Sequence, residues 1–559
     1  MVKEYKEFIF IFLLVLIIPL VSAGIFQDII FTINSSGSSF NGIGNNLQGG
    51  FDFNNDGYED LLVSAGRVDV VYLFYGSPDG FNNMTGAKAN ITFSGDAGTG
   101  FGGDTGIDYK GAGFIQDFNN DTINDILIIA GYADAGGLTD NGQAFVYFGS
   151  SGPKTNFTQL DANVTINGTF DVDRLGHGSV THARGLSGSR DYGDFNGDGI
   201  SDLILWSSNY TNDTALVGSE AVHIFYGAHG YPHGTNVVEG AISNITIMSY
   251  ANVSTEGIQT AVFGDINNDS IDDFGMSFAT AAGGGAARGE VYIFYGNFST
   301  ASHINRTVFD ANLTYNGTID SDNLIVHPYI GDINNDSIDD FILGGAGVDS
   351  SGVSASGQLY VFYGAAGLSS VTDNPRVLAN FTINGTIASE NLGLSTYSIA
   401  GGDFNNDLIN DLLIGDPAGG PLGNATRIFY GGNGFTSYGI SYNATNANVT
   451  INNSASYVLF GIGLTLWDMD NDTVNEFVVG DSEFDSGGNN VGQVVIYEVI
   501  DTVAPSMILV APVNNSYLPN TNVSLNITVH DNFGTGSKSG INGCYYSLNG
   551  TANVSFTCL

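Results

Sequence analysis

The nine residues Asp194-Phe-Asn-Gly-Asp-Gly-Ile-Ser-Asp202 decide how the rest of the chain is read. Oxygen-bearing side chains stand at positions one, three, five and nine, with glycine at six. A hard divalent cation asks for this pattern, because Ca2+ takes six to eight oxygens and a tight turn lets nearby side chains converge on it. The pattern recurs from Asp52 (DFNNDGYED), Asp117 (DFNNDTIND), Asp265 and Asp332 (both DINNDSIDD), Asp403 (DFNNDLIND) and Asp468 (DMDNDTVNE). Successive starts lie 65, 77, 71, 67, 71 and 65 residues apart, and each copy runs into an apolar segment. So regular a period means one supersecondary unit repeated seven times in series.

Each unit has the same internal grammar. After Asp52–Asp60 come Leu61–Val63, then Val70-Val-Tyr-Leu-Phe-Tyr-Gly76, then Ala89-Asn-Ile-Thr-Phe93. With the run before the acidic loop these are four short strands per repeat, too brief and too glycine-broken for helices. The third strand ends on an aromatic-glycine pair at Phe148-Gly149, Tyr226-Gly227, Tyr295-Gly296, Tyr363-Gly364 and Tyr430-Gly431, where glycine is expected to supply a turn. The fourth opens with Asn-x-Thr at Asn163, Asn244, Asn312, Asn380 and Asn448. Seven four-stranded units predict an all-β, seven-bladed propeller over residues 24–500 with almost no helix. The seventh repeat has no room for its fourth strand before Asp501-Thr-Val-Ala-Pro505. The unassigned strand Ile29-Ile-Phe-Thr-Ile33 is therefore predicted to pair with the strands around 460–498 and close the ring, removing an exposed sheet edge.

Composition agrees. The chain has 559 residues with 78 Gly, 37 Phe and 27 Tyr, which suits aromatic-rich strands joined by turns. Lys plus Arg number only 14 and the formal net charge is -43, which argues against nucleic acid or an anionic membrane surface as partner. Seven divalent cations would neutralise about a third of that charge. Residues 1–23, with Lys3 and Lys6, an apolar run from Phe8 to Val21 and the small residues Ser22-Ala23, have the form of a cleavable secretory signal. No later segment is apolar enough to span a bilayer, so export to the medium or the cell surface is expected. Many Asn-x-Ser/Thr triplets, among them Asn83, Asn90, Asn156, Asn209, Asn297, Asn305, Asn424 and Asn526, are then candidate glycan acceptors.

The stretches Phe101-Gly-Gly near Asp117–Asp125, and Ile399-Ala-Gly-Gly-Asp-Phe-Asn-Asn-Asp407 leading to Leu412-Leu-Ile-Gly-Asp416, resemble the FG-GAP repeats of integrin alpha-subunit propellers. The resemblance covers about residues 25–500. It implies up to seven structural Ca2+ ions in loops between the first and second strands of each blade, and extracellular recognition or adhesion. Matched residue by residue, the ligands in the first loop are Asp52, Asn54, Asp56, Asp60 and the carbonyl of Tyr58. Those of the second are Asp117, Asn119, Asp121, Asp125 and the Ile123 carbonyl, and of the third Asp194, Asn196, Asp198, Asp202 and Ile200. The fourth offers Asp265, Asn267, Asp269, Asp273 and Ile271; the fifth, Asp332, Asn334, Asp336, Asp340 and Ile338. The sixth offers Asp403, Asn405, Asp407, Asp411 and Ile409, and the seventh Asp468, Asp470, Asp472, Glu476 and Val474. Position six departs from glycine at Thr122, Ser270, Ser337, Leu408 and Thr473, of which Leu408 fits worst.

Residues 501–559 change character. Pro505, Pro512 and Pro519 punctuate them, Val523–Val529 alternates like a half-buried strand, and Cys544 and Cys558 are the chain's two cysteines. This stretch resembles the opening half of an immunoglobulin-like module, incomplete at Leu559. His177 with His182 and His229 with His233 lack a third ligand at metal spacing, and no GxSxG, HExxH or P-loop motif occurs, so no catalytic residue is assigned. The expected ligand is an extracellular protein or glycan, bound by the long second-to-third-strand loops Ala133–Asn141, Asn209–Ser219, Ala281–Gly289, Gly345–Gly357 and Asp481–Asn490. A polysaccharide-active enzyme built on the propeller and an envelope component are the alternatives.

Overall fold

The structure, a computed structural model, describes residues 26–34, 47–65, 69–77, 89–95, 111–151, 156–176, 192–210, 219–228, 235–238, 243–249, 258–281, 286–298, 304–368, 372–373, 375–393, 399–405, 407–416, 425–432, 440–452, 460–468, 475–481 and 493–499, with the strands 506–511, 526–530, 544–546 and 554–556. The signal-like segment, His177, His182, His229, His233, Asn83, Asn424, Asp470, Asp472, Val474 and Cys558 lie outside them. So do parts of the loops 209–219, 281–289 and 481–490.

Residues 28–499 form one compact unit of seven sheets, the seven-bladed β-propeller that the repeat period predicts. Blade one is built from Leu47–Phe51, Asp60–Ala65, Val70–Phe74 and Ile91–Ser94. Blade two follows with Ala112–Phe114, Ile126–Ala130, Gln143–Tyr147 and Val164–Asn167. Blade three has Tyr192–Gly193, Asp202–Tyr210, Ser219–Phe225 and Ile245–Met248. Blade four has Gln259–Gly264, Asp273–Phe278, Glu290–Phe294 and Leu313–Asn316, and blade five Leu324–Val326, Phe341–Gly345, Gln358–Phe362 and Phe381–Asn384. Blade six has Ile399–Gly402, Asp411–Asp416, Ala425–Phe429 and Val449–Asn452. In blade seven, Phe460–Trp467, Glu476–Asp481 and Gln493–Val499 are completed by the N-terminal strand Phe26–Asn34, which lies beside Gln493–Val499. The chain thus closes its own ring, as the missing fourth strand of the last repeat requires.

Among the described residues the expectation of four strands per blade holds for two blades and needs correction for five. On its way from third to fourth strand, each of blades two to six lays a short strand along the outer edge of the blade before it. Phe157–Thr158, Thr235–Val238, Ile304–Thr307, Thr372–Asp373 and Ile440–Asn443 pair in parallel with the fourth strands of blades one to five. Sequence alternation over two to four residues is too short to announce such a strand. A single helical turn then brings the chain back, at Gln159–Asp161, Val308–Asp310, Pro375–Leu378 and Ala444–Asn446.

The hydrophobic core lies between blades. Phe53, Phe93 and Tyr147 pack with Phe114 and Ile128 across the first seam, and Phe195, Trp206 and Phe274 share a cluster across the third. Aromatic contacts such as Phe195 on Phe274, with ring centroids 5.4 Å apart, and Phe404 on Phe477 at 5.3 Å recur from seam to seam. Such ring pairs add about 0.5–1.5 kcal/mol beyond burial alone. Beyond residue 500, Ser506–Ala511 pairs antiparallel with Asn526–His530 and Cys544–Tyr546 with Val554–Phe556. These four strands are what the described residues contain of the segment expected to open an immunoglobulin-like module.

Candidate metal loops

Every acidic loop joins the first strand of a blade to its second, and the six for which positions one to nine are described in whole or nearly so are folded alike. The chain winds round the carboxylate at position one. Asp194 Oδ1 accepts the N–H groups of Gly197 and Asp198 at 2.7 and 3.0 Å, and its Oδ2 accepts that of Gly199 at 2.8 Å. Asp52, Asp117, Asp265, Asp332 and Asp403 hold the N–H groups of positions five and six in the same way. At position five, Asp56, Asp121, Asp198, Asp269, Asp336 and Asp407 each accept the N–H of position seven at 2.9–3.0 Å.

This winding needs two residues with positive φ. Position four is Asn55, Asn120, Gly197, Asn268 and Asn335 with φ of 54–75°, and position six is Gly57, Thr122, Gly199, Ser270, Ser337 and Leu408 with φ of 67–90°. Asn at position four is therefore a conformational choice, since Asn tolerates the left-handed region better than most residues. Leu408 has no such tolerance and is 87% exposed. At the equivalent Gly57 and Gly199 a Cβ would meet nothing within 4 Å, so the penalty is one of backbone alone. Leu408→Gly is expected to raise stability by about 1 kcal/mol, read as a higher midpoint of denaturant unfolding; an unchanged or lower midpoint would refute the strain.

Position nine does more than the sequence suggests. Asp60, Asp125, Asp202, Asp273, Asp340 and Asp411 are at most 1% exposed. One oxygen accepts the N–H of position two (Phe53, Phe118, Phe195, Ile266, Ile333, Phe404) at 2.9–3.1 Å. The other accepts the N–H of the glycine that ends the third strand (Gly76, Gly149, Gly227, Gly296, Gly364, Gly431) at 2.8–3.1 Å. The aromatic residue before that glycine donates its N–H to the fourth-strand asparagine: Tyr75 to Asn90, Phe148 to Asn163, Tyr226 to Asn244, Tyr295 to Asn312, Tyr363 to Asn380 and Tyr430 to Asn448, all at 2.8–2.9 Å. Loop, third strand and fourth strand are tied at one point. The glycine's role is corrected accordingly: its φ is not positive, and a Cβ there would collide with the carbonyl of position eight at Glu59, Asn124, Ser201, Asp272, Asp339 and Asn410. The carboxamides of Asn90 and of Asn156, whose Oδ1 takes the Thr92 N–H, serve the sheet.

Position eight binds blade to blade. Asn124 Oδ1 accepts the N–H of Asp52, Asp272 Oδ2 that of Asp194 and Asp339 Oδ2 that of Asp265. Ser201 donates to the Ile115 carbonyl, Asn410 to that of Ile330 and Asn475 to that of Asp403. Glu59 accepts the N–H of Asp468 and so joins blade one to blade seven. Each loop rests on the start of the loop before it, all the way round.

The electrostatics of the loops are unbalanced. Burial, with the carboxylates at positions one and five adding to it, pushes Asp60, Asp125, Asp202, Asp273 and Asp340 up to about 8 and Asp411 to about 7, despite their two N–H donors. Glu59 is raised to about 7 by burial and then by Asp468. Among the described residues no three His, Cys, Asp or Glu side chains converge as a metal cluster; the carboxylates are turned onto backbone N–H groups instead. The donor chemistry nonetheless fits a hard cation, being all oxygen. Asn119 Oδ1, at position three of the second loop, is buried and has no hydrogen-bond partner. The residues that would hold an ion are those at positions one, three, five and nine with the carbonyl of position seven.

The opposite end of the blades is also built from repeated carboxylates, which sequence reading missed. Asp173, Asp322 and Glu390, at most 3% exposed, follow Asn-Gly-Thr at 167, 316 and 384 and accept the N–H groups of Thr169, Thr318 and Thr386. Arg376 reaches Asp322 at 3.4 Å and Arg427 lies 4.0 Å from Glu390. These turns receive the second-to-third-strand loops: Asn141 of loop 133–141 donates to the Gly168 carbonyl, and Asp171 accepts the Thr139 N–H. In loop 345–357, Asn391 and Leu392 donate to the carbonyls of Ala355 and Ser356. Both candidate recognition loops are thereby fixed. The recurring Asn-Gly-Thr followed by an acid is the feature of the sequence that could have revealed these carboxylates.

The fold and its loops define a seven-bladed β-propeller with an acidic, oxygen-rich turn in every blade. No protein-family model matches the chain. A curated relative, the phosphatidylinositol-glycan-specific phospholipase D of Dictyostelium discoideum, is 26% identical over 305 residues, which are 54% of this chain and 31% of that protein. The chain therefore spans about a third of the length of the curated relative it matches. Among solved structures, BBS1N in complex with ARL6DN, soaked with lead, matches with a TM-score of 0.38 and 8% identity over 85% of this chain and 96% of that one. A humanized mutant of the Chaetomium thermophilum Polycomb Repressive Complex 2 bound to the inhibitor GSK126 matches with a TM-score of 0.40 and 8% identity, over 84% of this chain and 96% of that one.

Proposed function

We propose that this chain is an exported, calcium-stabilised propeller of the FG-GAP, integrin alpha-like kind that recognises an extracellular protein or glycan. The observation that carries the reading is the division of labour between its two ends. Carboxylate and carboxamide oxygens are repeated in the same turn blade after blade at one end, and at the other the long loops 133–141 and 345–357 are held rigidly by buried turns. Calcium at the first end would supply the counter-charge that the buried position-nine carboxylates lack, and its role is structural. Rigid loops at the second end lose little freedom on binding, which favours recognition.

An enzymatic reading draws on the relative named a phospholipase D. Against it, among the described residues the carboxyl groups pushed well above their ordinary range are Glu59 and the position-nine acids, all used in loops and seams. The full chain should be screened against a glycan array and cell-wall fractions in Ca2+ and in chelator. Retention that needs Ca2+, without turnover of the ligand, is the expected result. Turnover of a bound glycan or phosphodiester would establish the enzyme instead, and absence of retention under both conditions would remove the recognition role.

A further inference from the structure

Of the two blades that end at four strands among the described residues, blade seven ends on the closing N-terminal strand Phe26–Asn34 and blade six on the fourth strand of its own repeat. That strand of blade six, Val449–Asn452, repeats the Val-Thr-Ile-Asn of blade two's Val164–Asn167. In blade two that strand is covered by Thr235–Val238 in parallel register, Val164 opposite Thr235 and Ile166 opposite Val237. Among the described residues no strand covers Val449–Asn452, and the sheet of blade six ends there. The topology supplies the reason. A blade's fifth strand always comes from the third-to-fourth link of the next blade, and blade seven has no such link because its fourth strand is Phe26–Asn34.

The side chains register the difference. Ile451 is half-buried, whereas its counterparts Ile166, Ile247 and Ile383 are at most 2% exposed. Thr450 is exposed where Thr165 and Thr382 are partly covered. Its N–H points outward: the equivalent Thr92 N–H of blade one donates to the Oδ1 of Asn156, the residue just before the covering strand. Sheet edges that must stay free are guarded by Lys, Pro, bulges or inward charges. Here the guards are missing, since from Ile428 to Trp467 the chain carries no Asp, Glu, Lys or Arg and no Pro, its longest uncharged run.

We propose that Val449–Asn452 is a docking site for an extended, proline-free segment of a partner polypeptide, which adds in parallel as the fifth strand of blade six. The five covering strands within the chain define what fits, because the same interface is already made five times. All five are proline-free and place a β-branched or aromatic residue beside Asn, Asp, Ser or Thr, as in Thr235-Asn-Val-Val238 and Ile440-Ser-Tyr-Asn443, and an apolar member packs beside the fourth strand, as Tyr442 does against Phe381 at 5.3 Å between ring centroids. Main-chain hydrogen bonds provide the affinity and alternate side chains the selectivity, as in other strand-addition complexes. A second copy is the poorer occupant, because each chain carries a net charge of -43.

The test is amide hydrogen exchange of the full-length chain with and without a synthetic peptide of residues 233–241 as probe, alongside Thr450→Pro, which deletes the outward N–H, and Thr450→Lys, which adds an edge charge at an exposed position. The expected result is peptide-dependent slowing of exchange at 449–452 by at least about tenfold, lost in both variants while exchange elsewhere is unchanged; should Thr450→Pro misfold, Thr450→Lys alone carries the comparison. Three outcomes would overturn the proposal: no slowing at saturating peptide, exchange at 449–452 already as slow as at 164–167 in the free monomer, or slowing that follows protein concentration and so reports a second copy.

Discussion

Replacing Asp202 with alanine is expected to destabilise the propeller by about 2–6 kcal/mol, because it strands two buried backbone N–H groups at once, each worth about 1–3 kcal/mol when left unpaired. Those groups belong to Phe195 and Gly227, which lie at 2.9 Å from the two carboxylate oxygens. The change should be read by denaturant unfolding in chelator, so that loss of an ion cannot contribute. Asp202→Asn keeps an acceptor for one of the two N–H groups and should cost about half as much. A ΔΔG below about 1 kcal/mol for the alanine variant would mean that position nine serves the cation alone and that the clamp is incidental. Asp198→Ala, which loses an exposed acceptor at position five, is the contrasting control.

Under the proposed structural role of calcium, its withdrawal is expected to have the second large effect. At a free concentration 100 times the dissociation constant each occupied loop adds about 2.7 kcal/mol by mass action. With several loops occupied per ring, the melting temperature is expected to fall when chelator is added. The effect should vanish for magnesium at the same concentration, since Mg2+ demands a stricter octahedral geometry and gives up its water reluctantly. Identical melting curves in calcium and chelator would sink the metal reading, while leaving the hydrogen-bonded turn as a structural punctuation mark. The interlocked position-eight contacts predict one cooperative transition in both conditions, for each loop leans on its neighbour from Asn124 on Asp52 round to Glu59 on Asp468.

Much of this architecture is legible in the chain. The loops repeat every 65–77 residues, so the number of blades can be counted directly, and a surplus strand at Ile29–Ile33 with a deficit after Tyr497 announces the closure. The aromatic-glycine and Asn-x-Thr pairs are visible as repeats, yet their meaning is not, because each is one half of a contact. Gly227 reads as a turn residue until Asp202 Oδ1 and the Ser201 carbonyl are found against it. Asp173, Asp322 and Glu390 look like ordinary surface acids until their burial is known.

Sequence alone determined what depends on neighbours along the chain: the nine-residue turns, the strands that flank them, their sevenfold recurrence and the acidity concentrated in them. Only the tertiary structure decided which atoms those turns hold and which blade receives each covering strand. The physical reason is range. A turn is dictated by φ, ψ and side chains a few residues apart, whereas the Asp272 carboxylate meets the Asp194 N–H across 78 residues, and Thr235–Val238 lies on a sheet begun more than a hundred residues earlier. Such pairings exist only once the ring has closed and set each blade against the one before.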